Sequence, residues 1–511
     1  MTDAAASGFA EFREEYEQGR GRLIWRRSVA DLLTPVAAYL KLAEGKPNAF
    51  LLESVEGGAA RGRYSIIGLA PDLIWRCRGG RPEINRHARS APYAFAADDR
   101  APLESLRALA AECRLEVPAG LPPMAGGLVG YLGYDMVRQM EKLPEKNQAS
   151  IDVPEAVMLR PTLFAIFDNI TDLLTLAAPV HPTPGITAAQ AWQTAQAALD
   201  EAEAALARPL PLAAPPVALP PLPAPASNFT RESFLALVER AKDYIRAGDV
   251  FQVVPSQRFS VPFALPPFAL YRALRRINPA PFLFHLDFGG YAVVGSSPEI
   301  LVRLRDGTVT IRPLAGTRRR GATHEEDQAL EAELLGDPKE RAEHLMLLDL
   351  GRNDVGRVSE IGTVRVTESF AIERFSHVMH IASEVQGRLR EGLDAIDALV
   401  AGFPAGTLTG APKVRAMELI DEFEPVRRGV YGGAVGYLDA AGDLDVAIAI
   451  RTAVMRRAAD GWVAYVQAAA GIVADSVPEL EELETRNKAR AVLQALATAE
   501  TMRPIRGKAS Q

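Results

Sequence analysis

Cysteine is nearly absent, with Cys77 and Cys113 the only two among 511 residues. That excludes a cysteine-rich metal centre or a disulfide scaffold and argues for a reducing, cytoplasmic setting. Histidine is scarce, with seven, and neither a His-x-x-x-His pair nor an EF-hand loop occurs, so zinc and calcium lack their usual ligands. No apolar run approaches the roughly 20 residues of a membrane span. The opening MTDAAASGFAEFREEYEQGR carries acidic residues where a signal peptide needs an apolar core. Neither G-x-G-x-x-G after a strand nor G-x-x-x-x-G-K-[ST] is present, so a nucleotide cofactor has no support. Positive charge is not in excess either: 57 Lys and Arg stand against 64 Asp and Glu, a net charge of -7. Neither nucleic acid nor an anionic membrane is therefore an expected partner.

What is present is the balance of a globular protein, 48 % hydrophobic and 24 % charged, long enough for more than one core. Residues 1–207 read as a β-rich region, with helices expected at about 28–44 and 103–115 and a strong helix former at 187–207. Eight prolines between 209 and 225 mark 208–227 as a linker, since neither helix nor central strand tolerates that density. A second unit spans 228–511. It opens on Thr230 as helix cap, with apolar residues at helical spacing from Phe234 to Ile245. Strands are expected at 291–295, 299–304, 308–313, 433–438, 445–455 and 462–468. Helices are expected at 325–350, 373–388, 392–401, 411–422 and 478–497. The mixture predicts an α+β fold without the strand–helix repeat of a doubly wound sheet.

Polar chemistry gathers in this second unit. DPKERAEHLMLLDLGRND (337–354) places Glu340 and Glu343 three apart on one helix face, ahead of what reads as a polar GRND turn. Glu481 and Glu484 repeat the spacing on the last helix. Two such pairs facing one another suit a hard cation such as Mg²⁺, whereas the plain alternative is four solvent-facing glutamates. Arg451, inside the apolar run DVAIAIRTAVM, is either half of an internal salt bridge or the anchor of an anionic ligand. Gly316, Thr317, Gly406, Thr407 and Gly471 stand in small-residue turns able to offer N–H and hydroxyl groups to the same ligand. His380 is the best placed titrating group.

Taken in order, PLAGTRRRG, ERFSHVMH, FPAGTLTGAPKVRAMELIDE, YGGAVGY, IAIRT and AGIVADSVPELEELETRNKA, with the 337–354 stretch, resemble the chorismate-binding enzymes, specifically their anthranilate synthase branch. The resemblance implies a layered α/β/β/α sandwich of large antiparallel sheets packed roughly orthogonally, with the N-terminal part adding its own sheet. It implies Mg²⁺ on Glu343 and Glu484, supported by Glu340 and Glu481. It further implies Arg451 and Tyr431 on the enolpyruvyl carboxylate, and Gly316, Thr317, Thr407, Ala469 and Gly471 around the pocket. Ala469 departs from the family's usual glycine. Glu299 matches the position of a general acid, and His380 that of a histidine tied to pyruvate elimination.

Sister activities separate at two positions. Aminodeoxychorismate synthases tend to carry a nucleophilic lysine where this chain has Ala315, and isochorismate and salicylate synthases a water-activating lysine where it has Gln252. Ammonia is thus the expected nucleophile, supplied by a separate glutamine amidotransferase subunit, because neither Cys77 nor Cys113 lies in a nucleophile elbow. The resemblance also implies a heterodimer or a dimer of heterodimers. It implies feedback inhibition by tryptophan bound at Glu53, Ser54, Asn278, Pro279, Pro281 and Leu283. The reading from another class is a silent tryptophan-sensing subunit, which would require broken catalytic positions.

Overall fold

The computed structural model describes residues 8–56, 60–122, 124–210, 221–375 and 378–502. Two large antiparallel sheets dominate it, one of 11 and one of 12 strands. In the strand Gly127–Leu132, Leu128 and Leu132 point to one core while Val129 and Tyr131 point to another. That period of two lets both faces of each sheet be buried. Phe50, Ile66 and Phe164 of the first sheet meet Ile74, Val129 and Val157 of the second in a shared inner core. The helices Pro35–Leu42, Ala188–Ala207, Pro267–Ile277 and Pro478–Thr501 cover the outer face of the first sheet. Pro102–Glu112, Pro338–Val358 and Ala395–Gly402 cover the second. The layers are therefore helix, sheet, sheet, helix, and the α+β expectation holds.

Among the described residues the N-terminal part has no sheet of its own. Ala49–Glu56 is hydrogen-bonded to Phe282–Asp287, with Glu53 opposite Leu283. Gly127–Leu132 is likewise joined to Ala434–Asp439. Strands from either side of the proline-rich stretch complete one another's ladders because a buried backbone N–H must find a partner. Within that stretch, 211–220 lie outside the described residues; Ala226–Ser227 pairs with the strand Ser256–Phe263.

Five local expectations need correcting. Of the segment expected as a helix at 373–388, residues 376–377 lie outside the described residues and the rest is mostly strand, Arg365–Arg374 pairing with Val378–Arg388. Met379, Ile381, Ser383 and Val385 are buried at alternate positions, a period that outweighs helix propensity. The helix expected at 28–44 is a strand, Arg22–Val29, and then a helix entered through Thr34 and Pro35. The 325–350 helix is two, His324–Gly336 and Pro338–Val358, separated where Asp337 caps the second through Lys339 and Glu340 N–H. The GRND residues are no turn but continue that second helix. The strand expected at 445–455 breaks into Leu444–Ile448 and Thr452–Ala458.

Candidate active site

That break produces the site's most unusual residue. Arg451 sits at φ 50°, a left-handed conformation costly for any side chain with a Cβ. Its guanidinium is desolvated, which lowers its pKa, and among the described residues it has no ion-pair partner. Tyr431, Glu299 and Glu484 face it at longer range. Tyr431 is buried, its hydroxyl near the Ala469 backbone, and burial raises its pKa. An unpaired, desolvated arginine is costly unless an anion completes it.

Glu299 follows the strand Tyr291–Ser297 and is buried. Burial pushes its carboxyl up to about 8 against the pull of Leu314 N–H, Thr407, Lys488 and Arg451. Leu314 N–H and the Thr407 hydroxyl both donate to Oε1, at 3.4 and 3.2 Å. Oε2 is left to carry a proton at neutral pH. His380 lies on Val378–Arg388, opposite Thr317. Its Nδ1 is 2.9 Å from the Gly316 carbonyl and 3.1 Å from Thr317 Oγ1. A carbonyl only accepts, so Nδ1 holds the hydrogen and Nε2 keeps a lone pair. Burial lowers the ring to about 4, so it is neutral near pH 7.

The four glutamates divide by their partners. Glu343 accepts from the buried Gln252 amide at 3.1 Å, and burial, with Glu340 and Glu484 adding to it, raises its pKa. Glu340 is bound by Arg318 at 3.0 Å, and Arg318 also holds Glu333 and Asp337, both at 2.8 Å. Glu484 is exposed and tied to Lys488 at 2.6 Å, whose Nζ also donates to the Ala469 carbonyl at 3.0 Å. Glu481 is buried and its pKa raised by that burial. Two glycines make room: a Cβ on Gly471 would lie 2.8 Å from the Gln252 amide, and one on Gly316, at φ +71°, 3.1 Å from Glu340.

The expected catalytic, pocket and glutamate residues are thus brought together. Arg318 and Lys488 went unnoticed in the sequence, although the RRR run and the i, i+4 spacing from Glu484 were visible signals. Among the described residues no group of three or more His, Cys, Asp or Glu converges to hold an ion unaided. The protein's share of a metal shell would be two carboxylates, Glu343 and Glu484. Their mutual repulsion and oxygen donors fit a hard cation that keeps waters.

Of the residues expected for tryptophan, Glu53 stands opposite Leu283 on the neighbouring strand. Asn278, Pro279 and Pro281 connect the helix Pro267–Ile277 to Phe282–Asp287, and Ser54 abuts Gly62. Both oxygens of Glu53 are taken, by Arg275 Nε at 2.6 Å and Nη2 at 2.9 Å, with Tyr271 and Ser65 adding hydroxyls. Cys77 and Cys113 are buried, their thiols pushed up to about 12 and about 11 by desolvation, so neither is a nucleophile.

The family model for chorismate binding enzymes matches residues 61–494, and the chain belongs to that family. It is therefore an enzyme. Within the family its similarity is to anthranilate synthase component 1. The chain is 55 % identical to that protein of Cereibacter sphaeroides over 96 % of this chain and 98 % of the relative. To that of Pseudomonas aeruginosa it is 50 % identical over 93 and 95 %. The crystal structure of anthranilate synthase component I from Streptococcus pneumoniae superposes with a TM-score of 0.74 at 37 % identity, covering 91 % of this chain and 98 % of that one. A menaquinone-specific isochorismate synthase from Escherichia coli shares the fold alone, at 20 % identity and TM-score 0.67 over 93 and 94 %. No described helix is long and apolar enough to cross a membrane.

Proposed function

We propose that this chain is the synthase subunit of an anthranilate synthase, converting chorismate and ammonia to anthranilate and pyruvate as the committed step of tryptophan biosynthesis. One observation carries the reading: Glu299, whose carboxyl burial pushes up to about 8, interacts with Arg451, which has no ion-pair partner among the described residues, and Gln252 and Ala315 offer no nucleophile of their own. Arg451 and Tyr431 bind the enolpyruvyl carboxylate, and Thr407, Gly316, Thr317 and Gly471 shape the ring's seat. Glu343 and Glu484 would hold Mg²⁺, with Glu340 and Glu481 behind them. Bound there, Mg²⁺ would neutralise the ring carboxylate and stabilise charge developing in the conjugated ring.

Ammonia forms a bond to C2 while the C4–O bond breaks, and Glu299 Oε2 gives the departing hydroxide its proton, so water leaves. The new ammonium then loses a proton. In the second step the C2–H proton is removed, the C3–O bond breaks, and enolpyruvate departs to become pyruvate, leaving an aromatic ring. His380 Nε2, neutral and unprotonated, is the acceptor placed for that C2 proton. Its hydrogen bond to the Gly316 carbonyl steadies the cation that results.

Ammonia comes from a separate glutamine amidotransferase subunit, a reading supported by the component 1 naming of the relatives and by two inert cysteines. Tryptophan binds beside Ser54 and the 278–283 wall and inhibits by favouring a state that binds chorismate poorly. The test is fluorescence detection of anthranilate from purified chain, chorismate, Mg²⁺ and ammonium. Isochorismate, or a non-aromatic aminated product, overturns the assignment, and glutamine in place of ammonium yields no product.

A further inference from the structure

Asp354, the last of the GRND residues, lies about three helical turns beyond Glu343. Eleven residues at about 100° each return to within about 20° of the starting direction, so Asp354 shares the face of Glu343, about 16 Å along the axis. Asp354 is buried and meets Lys413 Nζ at 2.8 Å, with side-chain exposures of 6 and 12 %. Lys413 opens the helix Lys413–Phe423, directly after the segment that carries Thr407. Between them, Gly410–Ala411 pairs with Gln252–Val253, placing Ala411 opposite Gln252. Gln252 in turn holds Glu343.

These contacts close a ring: Glu343 to Gln252, across to Ala411, along the chain to Lys413, over to Asp354, and back down one helix. Inside the ring the turn Gly406–Leu408 packs on the helix so closely that a side chain at 406 would collide with Leu350. One cavity is lined in common by Glu299, Leu347, Leu350, Gly351, Asp354 and Thr407. We propose that the Asp354–Lys413 ion pair is a positioning device for the reaction. It fixes the 406–412 segment against the helix Pro338–Val358, setting where Thr407 meets Glu299 and where Gln252 meets Glu343. Neither Asp354 nor Lys413 touches substrate.

The inference rests on the reading of Glu299 as proton donor. Thr407 favours the ionised form of Glu299, and the other groups facing it are Leu314 N–H, Arg451 and Lys488. Slackening the segment weakens the Thr407 contact, so the alkaline limb of kcat moves to higher pH. Two variants test this, Asp354→Asn and the double Asp354→Leu/Lys413→Met, the second replacing the buried pair by apolar groups and so sparing the fold. Both are assayed with ammonium against Thr407→Val. The expected result is a kcat lowered about tenfold, a KM for chorismate changed less than about threefold, and the limb displaced as in Thr407→Val, while the double variant keeps its Tm. A folded variant of either kind with the parent's kcat and limb overturns the proposal. Glu299→Gln is the control, because an unchanged rate there refutes the proton-donor reading itself.

Discussion

Two arginine–glutamate regions of this molecule are built from similar groups and left in opposite conditions. In the N-terminal strand Ala49–Glu56, Glu53 is closed off by a bidentate Arg275 and two hydroxyls. His285 behind it is lowered to about 3 by burial among aromatic rings, and so stays uncharged. In the candidate pocket, Arg451 is strained and, among the described residues, without an ion-pair partner, and burial pushes the Glu299 carboxyl up to about 8. Satisfied charges build a wall; unsatisfied ones wait for a ligand.

The sharpest way to break this contrast is at the glutamates. Glu343→Gln and Glu484→Gln should each lower Mg²⁺-supported turnover about 10³-fold in a steady-state anthranilate assay, since each would remove one of two protein ligands. Parent-like rates in either variant would refute the metal assignment. Next in size come the arginines, whose effects should be reversed. Arg451→Met should raise the KM for chorismate about 100-fold while leaving Tm unchanged or higher, because it removes an unpaired cation. Arg275→Met should instead cost about 3 kcal/mol in urea unfolding, by orphaning buried Glu53, and leave kcat nearly intact at low temperature.

A smaller effect is expected from pH. Folding raises the Glu299 pKa from 4.5 to about 8. The folded chain therefore binds more protons, and this contribution, complete below pH 4.5, declines as pH rises through 8. Glu299→Gln should flatten that decline in unfolding curves measured across the interval. Ser54→Ala should have the least effect on the uninhibited rate while raising the tryptophan concentration needed for half inhibition. An unchanged inhibition curve would move the regulatory site elsewhere.

The sequence was legible where one period or one cap dominated. Thr230 caps its helix through Ser233 N–H, and the paired glutamates share their faces as spacing required. Val378–Arg388 reads as helix because Glu, Ala and Gln lend it helical character, while the strand is fixed by pairing with Arg365–Arg374 on one side and with Thr308–Ile311 and Leu314–Arg319, distant in the chain, on the other. Arg451 was noticed as an oddity, yet its kink is invisible in DVAIAIRTAVM, since nothing local demands positive φ. Spacing alone treats Glu340 and Glu343 alike; the family resemblance separates them, while the ion pair that sets Glu340 apart is hidden, because Arg318 reaches it only through tertiary packing. GRND looked like a turn, and its helical continuation makes sense only once Lys413 is seen to receive Asp354.

The sharing of both sheets across the proline-rich stretch has a consequence for dissecting the molecule. Cutting there would not release two modules. It would strip Ala49–Glu56 from Phe282–Asp287 and Gly127–Leu132 from Ala434–Asp439, exposing open strand edges on each fragment. Such edges invite pairing with other chains, so either half alone should aggregate, and the pair should regain solubility only when expressed together.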